Sequence, residues 1–107
     1  MVLHCTDDVV GTGAMVTVGA TVTVQYVGVG QVGGEEFDSS WEAGPATFSL
    51  TQVIQGWRQG LVGMREGGRR TLVIPGRLAY GGGGNASAGI GPDETLVFTI
   101  DLLSVEP

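Results

Sequence analysis

Apolar and polar residues alternate from Ala20 to Val29, with Val22, Val24 and Tyr26 in one phase and Thr21, Thr23 and Gln25 in the other. A period of two in a run rich in β-branched residues predicts a strand with one buried face. Ala46 to Leu50, Arg70 to Ile74 and Thr95 to Val105 are further β-rich runs, punctuated by Gly and Pro. Leu3 to Val10 reads as a weaker, edge strand. Helical spacing occurs only in Gln55 to Val62, where Ile54, Trp57, Leu61 and Val62 recur at intervals of three and four. Its internal Gly56 and Gly60 weaken the helix by ~1 kcal/mol each, so packing against a sheet must hold it. The expected fold is α+β, with five or six curled antiparallel strands wrapped over one short helix.

Two stretches are too rich in glycine for regular structure. Gly28 to Glu36 reads as a hairpin loop. Gly81 to Glu94 contains six glycines and is long for a structureless connection. Such loops often serve as lids, and this one is expected to be a flap over a pocket.

Length changes the picture little: 107 residues make one domain, 1–107, which buries roughly 60–70% of the surface of its unfolded chain. The single Cys leaves no disulfide to form within the chain, which fits a reducing compartment. Met1 to Asp8 lacks the basic and apolar regions of a signal peptide. No segment approaches the ~20 apolar residues of a membrane span. A cytoplasmic monomer is therefore the expectation. A net charge of −6 disfavours nucleic acid and anionic membranes as partners, because both are bound largely by neutralising phosphates.

The chain is poor in catalytic side chains, with one His, one Cys, five Arg and no Lys. Its chemistry must come from an apolar cavity. Six of the seven aromatic residues are placed to converge: Tyr26, Phe37, Phe48, Trp57, Tyr80 and Phe98. An isolated aromatic is usually ordinary core, but a buried tyrosine also needs a polar partner, which suits a site. Asp38 follows Phe37, so in a regular strand the two point to opposite faces, and Asp-Ser-Ser commonly forms a turn or cap. Gly28-Val29-Gly30-Gln31-Val32-Gly33 matches a dinucleotide fingerprint in letters only. Glu35 and Glu36 follow where a helix and a pyrophosphate would have to fit. His4, Cys5, Asp7 and Asp8 do not make a closed metal set, because strand neighbours face opposite ways. No cofactor and no metal are expected.

Several ordered motifs together make a more specific signal. They are Gly11-Thr12-Gly13, Val24-Gln25-Tyr26-Val27-Gly28, Phe37-Asp38-Ser39-Ser40, Val53-Ile54-Gln55-Gly56-Trp57, Gly63-Met64-Arg65-Glu66-Gly67-Gly68-Arg69-Arg70, Ile74-Pro75, Ala79-Tyr80-Gly81 and Thr95-Leu96-Val97-Phe98. The chain resembles FKBP-type peptidyl-prolyl cis-trans isomerases over nearly its whole length. The resemblance implies rotation of X-Pro bonds in an aromatic pocket without a covalent intermediate. It assigns catalysis to Tyr26, Asp38, Trp57, Tyr80 and Phe98, and substrate binding to Phe37, Phe48, Val53, Ile54 and Ile90. Trp57 would be the floor, Tyr80 would offer its hydroxyl, and Ile54 would give its main-chain N–H to a substrate carbonyl. Proline-containing segments of client proteins would be the substrates, and tacrolimus or rapamycin would occupy the same pocket. The alternative is a binding module or folding helper with little turnover. Trp41 stands where the family often has a basic or polar residue, and Gly91 replaces an apolar residue of the flap.

Overall fold

A computed structural model describes residues 3–31 and 34–106. Val32 and Gly33, inside the expected hairpin loop, and Met1, Val2 and Pro107 lie outside the described residues. The elements run β1 (His4–Val9), β2 (Thr21–Gly30), β3 (Glu36–Ser39), β4 (Ala46–Ser49), α1 (Gln55–Gly60), β5 (Arg69–Ile74) and β6 (Leu96–Glu106). The sheet is a curled antiparallel one in the order β1-β5-β6-β2-β3. The outer edge of β2 is shared: β3 pairs with Val27 to Val29 and β4 with Thr21 to Val24.

The alternation of β2 is the physical origin of the core. Val22, Val24 and Tyr26 are buried, while Thr21, Thr23 and Gln25 are partly exposed. On β6 the buried phase runs through Leu96, Phe98, Ile100 and Leu102, then slips at Leu103. A bulge against β2 between Thr23 and Val24 accounts for the slip, because an extra residue reverses the side-chain phase. β1 is an edge strand with every residue exposed.

Helix α1 is shorter than the sequence pattern suggests, ending at Gly60 with Leu61 as its C-terminal cap. Leu61 is buried but Val62 is exposed, because the chain has left the helix before Val62. The two glycines that weaken the helix allow it to lie close on the sheet. A Cβ on Gly56 would sit 2.4 Å from Ile74 Cγ2, and one on Gly60 would sit 2.9 Å from Leu72. Close approach to β5 is what brings Trp57 under the rings of β2, β4 and β6.

Two expectations from sequence need correction. β2 continues to Gly30, and Glu36 to Ser39 form a strand, so the region read as loop and turn is mostly a β-hairpin. Gly81 to Glu94 is also not structureless. It contains two 3₁₀ turns, Gly81–Gly83 and Ala86–Ala88. Asn85 and Ile90 exchange N–H···O bonds of 2.8 and 2.9 Å, and Asp93 N–H donates to Gly81 O at 2.8 Å. These bonds close the segment on itself.

Candidate active site

Trp57 is 4% exposed and stands on the sheet-facing side of α1. Three rings meet it nearly at right angles: Tyr26 from β2 (5.2 Å, 86°), Phe48 from β4 (5.4 Å, 83°) and Phe98 from β6 (5.3 Å, 90°). Edge-to-face packing places the positive ring edge on the negative ring face. It also leaves a hollow above the indole rather than a stacked, filled core. That hollow is a pocket of about 340 Å³ lined by Tyr26, Asp38, Phe48, Gln52, Val53, Ile54, Trp57, Tyr80 and Phe98. The indole Nε1 is buried and has no hydrogen-bond partner among the described residues.

The sheet register decides which side chains reach the pocket. In the β2–β3 pair Gly28 lies opposite Asp38 and Val29 opposite Glu36, which leaves Phe37 as the extra residue of a bulge. A bulge removes the strict alternation of faces. Phe37 and Asp38, adjacent in sequence, therefore both serve the site. The Phe37 ring packs edge-on against Phe98 (5.5 Å, 88°), behind the pocket wall rather than in the wall itself. Asp38 accepts a 2.7 Å hydrogen bond from the Tyr26 hydroxyl at the pocket edge.

Ser40, a buried polar residue, clamps the backbone of Tyr26. Its Oγ accepts the Tyr26 N–H at 2.8 Å and donates to Gln25 Oε1 at 2.5 Å, and its own N–H donates to Tyr26 O at 3.0 Å. Tyr26 is thus fixed at both ends. Burial pushes its phenol pKa up, and the hydrogen bond to Asp38 and that carboxylate's charge raise it further. Above the ordinary value of 10.0 the unfolded chain loses this proton first, so the contribution of Tyr26 to stability falls as pH rises. The stability penalty of Tyr26→Phe should therefore shrink above about pH 10. Urea midpoints of both proteins across that range, in a Cys5→Ser background, check it. A constant penalty would contradict it. The Cys5 thiol, partly covered beside Gly60 although the residue as a whole is exposed, is itself pushed up from 9.0 by that partial burial, hence the background.

All five residues expected to be catalytic line the pocket, as do Phe48, Val53 and Ile54. Ile90, within the 81–94 segment, is buried in the core and is not among the residues that line the pocket. Gln52, which does, carries no signal in the sequence beyond preceding Val53-Ile54. Among the described residues, His4, Cys5, Asp7 and Asp8 form no group of three that could hold a metal. Asp7 holds Arg70 through bonds of 2.6 and 3.3 Å, Asp8 accepts from Thr71, and His4 and Cys5 lie on the same exposed edge strand.

The model of the FKBP-type peptidyl-prolyl cis-trans isomerase family matches residues 13–103. The chain belongs to this family. An FK506-binding protein of Streptomyces anulatus is 52% identical over 98 residues, spanning 89% of this chain and 79% of the relative. The FKBP-type peptidyl-prolyl cis-trans isomerase FkpA of Escherichia coli K12 is 48% identical over 88 residues, 81% of this chain and 32% of that longer protein. Among solved structures, a peptidyl-prolyl cis-trans isomerase from Pseudomonas syringae pv. tomato superposes with a TM-score of 0.90 at 37% identity. That alignment covers 98% of this chain and 76% of the other. Family membership and the names of these relatives favour the isomerase over the binding module without turnover. Among its described residues this FKBP-type chain has a six-stranded curled sheet and one short α-helix, within the five or six strands and one helix expected.

Proposed function

We propose that this FKBP-type isomerase seats the proline ring of a client segment on Trp57 and lets the preceding amide rotate there. The observation that carries this is the open hollow above an indole boxed by three perpendicular rings. Rotation about an X-Pro bond breaks amide resonance and crosses a barrier of ~18–20 kcal/mol. The twisted amide is less dipolar than the planar one. An apolar aromatic wall therefore favours the twisted state over the ground state, which is the differential binding that catalysis requires. Ile54 reaches the helix in an extended conformation (φ −57°, ψ 151°), and no acceptor among the described residues takes its N–H. That N–H holds a substrate carbonyl. Tyr80, 38% exposed at the mouth, donates its hydroxyl to a second one. Asp38, held by Tyr26, sets a negative charge beside the rotating amide.

In an isomerisation assay on Leu-Pro and Ala-Pro peptides, Tyr80→Phe should lower kcat/KM about two- to tenfold, the value of one neutral hydrogen bond. Asp38→Leu should cost more. The rate should be flat between about pH 6 and 8, the range where histidine with its ordinary pKa of ~6.5 would titrate. The single histidine, His4, lies on β1, which β5 and β6 separate from β2. A bell-shaped profile, or loss of activity in His4→Ala, would replace this mechanism with acid–base chemistry.

The same pocket takes tacrolimus or rapamycin; the name of the Streptomyces relative, an FK506-binding protein, supports the first of these, and competition with peptide in that assay tests both. A cytoplasmic monomer remains our proposal for the state of the protein. The single cysteine supports the location, and cell fractionation with sedimentation analysis tests both.

A further inference from the structure

Asp38 has a second side. Beyond it the surface continues into a groove of about 470 Å³ along β3, lined by Glu36, Phe37, Asp38 and Ser39 and closed by Trp41 and Glu42. Three features of this groove go unused in the prolyl pocket. The first is Trp41, a residue 53% exposed, a large apolar side chain to leave in water. The second is that the Trp41 backbone is held in place. Its N–H donates to Ser39 Oγ at 3.2 Å, and the preceding Ser40 is bonded to the Tyr26 backbone. The third is charge. Glu36, Asp38 and Glu42 line the groove and no arginine does. The ion pairs seen among the described residues, Arg69–Asp101 and Arg70–Asp7, belong to β5 and its neighbours.

An exposed indole on a held backbone, beside carboxylates that face no arginine in the groove lining, suits a long side chain ending in a cation. The aliphatic stem covers apolar ring surface while the charge stays at the polar rim. The cation itself is drawn to the ring face and to the carboxylates. An apolar side chain would use the ring but would gain nothing from the acids, and an acidic one would be repelled. The groove shares Asp38 with the prolyl pocket, so a segment bound in that pocket can extend into it. We propose that the β3 groove is a specificity subsite for a lysine or arginine within two residues of the substrate proline. The proposal rests on the isomerase reading of the adjoining pocket.

The test uses Ala-Ala-Pro-Ala peptides carrying Lys, Gln, Glu or Leu at each position up to two residues from the proline. Cis–trans exchange is measured by NMR without a coupling protease. For the wild-type chain kcat/KM should be about five- to tenfold higher for Lys than for Glu at one or more positions at low salt, the sum of a cation–π contact and an exposed ion pair. The ratio should approach one at about 1 M salt, where the Debye length is ~3 Å. It should also collapse in Trp41→Ala and in a Glu36→Gln/Glu42→Gln double variant. Ratios taken within each variant cancel any loss common to all peptides. Equal rates for Lys, Gln and Glu would overturn the subsite and leave the isomerase standing. So would a Lys preference that survives both variants, which would belong to the overall charge of the chain. A salt-independent preference for Leu would make the groove apolar and reject the basic class. If no peptide is turned over, the isomerase reading fails by itself. The Trp41 indole N–H resonance then decides the subsite, shifting with Lys peptides and not with Glu peptides if the groove takes a cation.

Discussion

Trp57→Ala should abolish measurable isomerisation and lower stability by ~3–5 kcal/mol, the range for deleting a large buried aromatic. The ring is buried and three other rings pack their edges or faces on it. Its removal would leave a void beneath the pocket that the sheet cannot close without losing those contacts. For a chain of this size such a loss lowers Tm by tens of degrees, at about 4–8 °C per kcal/mol. Trp57→Phe should be milder on two counts. It retains an aromatic floor, and it removes the Nε1 donor that has no partner, a group whose burial costs ~1–3 kcal/mol. Urea unfolding and kcat/KM for both variants check the pair. A Trp57→Ala protein within about 1 kcal/mol of wild type, well below the range for a packed aromatic, would mean that the ring is not part of the core.

Gly28→Ala should cost activity through a residue that never touches substrate. A Cβ at this position would lie 2.7 Å from Phe37 Cζ and 2.7 Å from Phe98 Cε1. Phe98 cannot yield freely, since its ring already stands 5.3 Å from that of Trp57. Overpacking of this kind costs ~1–3 kcal/mol, only partly offset by the ~0.5–1 kcal/mol that alanine gains over glycine in a strand. The pocket wall would tilt, so kcat/KM should fall more than the stability loss alone explains. Gly83→Ala provides the control, because a Cβ there meets nothing within 4 Å, and it should leave activity and stability near wild type. Equal behaviour of the two variants would show that Gly28 does not set the position of Phe98.

Much of the site was legible because its largest parts lie in strongly periodic segments. The alternation in β2 put Tyr26 on the buried face with Val22 and Val24, and the spacing around Trp57 put it on the packed face of a short helix. Both placements follow from the side-chain geometry of a single element, which needs no knowledge of neighbours. Phe37 and Asp38 were harder. They sit in a four-residue strand whose residues also favour turns, and only its pairing with β2 makes it a strand. Gln52 and Ile90 exchanged expectations. A glutamine in a turn has no pattern to mark it, and Ile90 is pulled into the core by the Asn85–Ile90 bridge rather than left at a rim.

Composition and local period thus determined the fold class and the apolar character of the site, while the ordered motifs, through the resemblance they carry, named most of the aromatic residues that form it. Tertiary structure alone decided how those residues meet. The bulge at Phe37 turned two adjacent side chains to one site. The contact of Gly56 and Gly60 with β5 set the depth of Trp57. The Ser40 clamp and the Tyr26–Asp38 bond fixed the pocket edge. Each of these depends on strand register and on the distance between elements far apart in sequence, and a period read within one element carries information about neither.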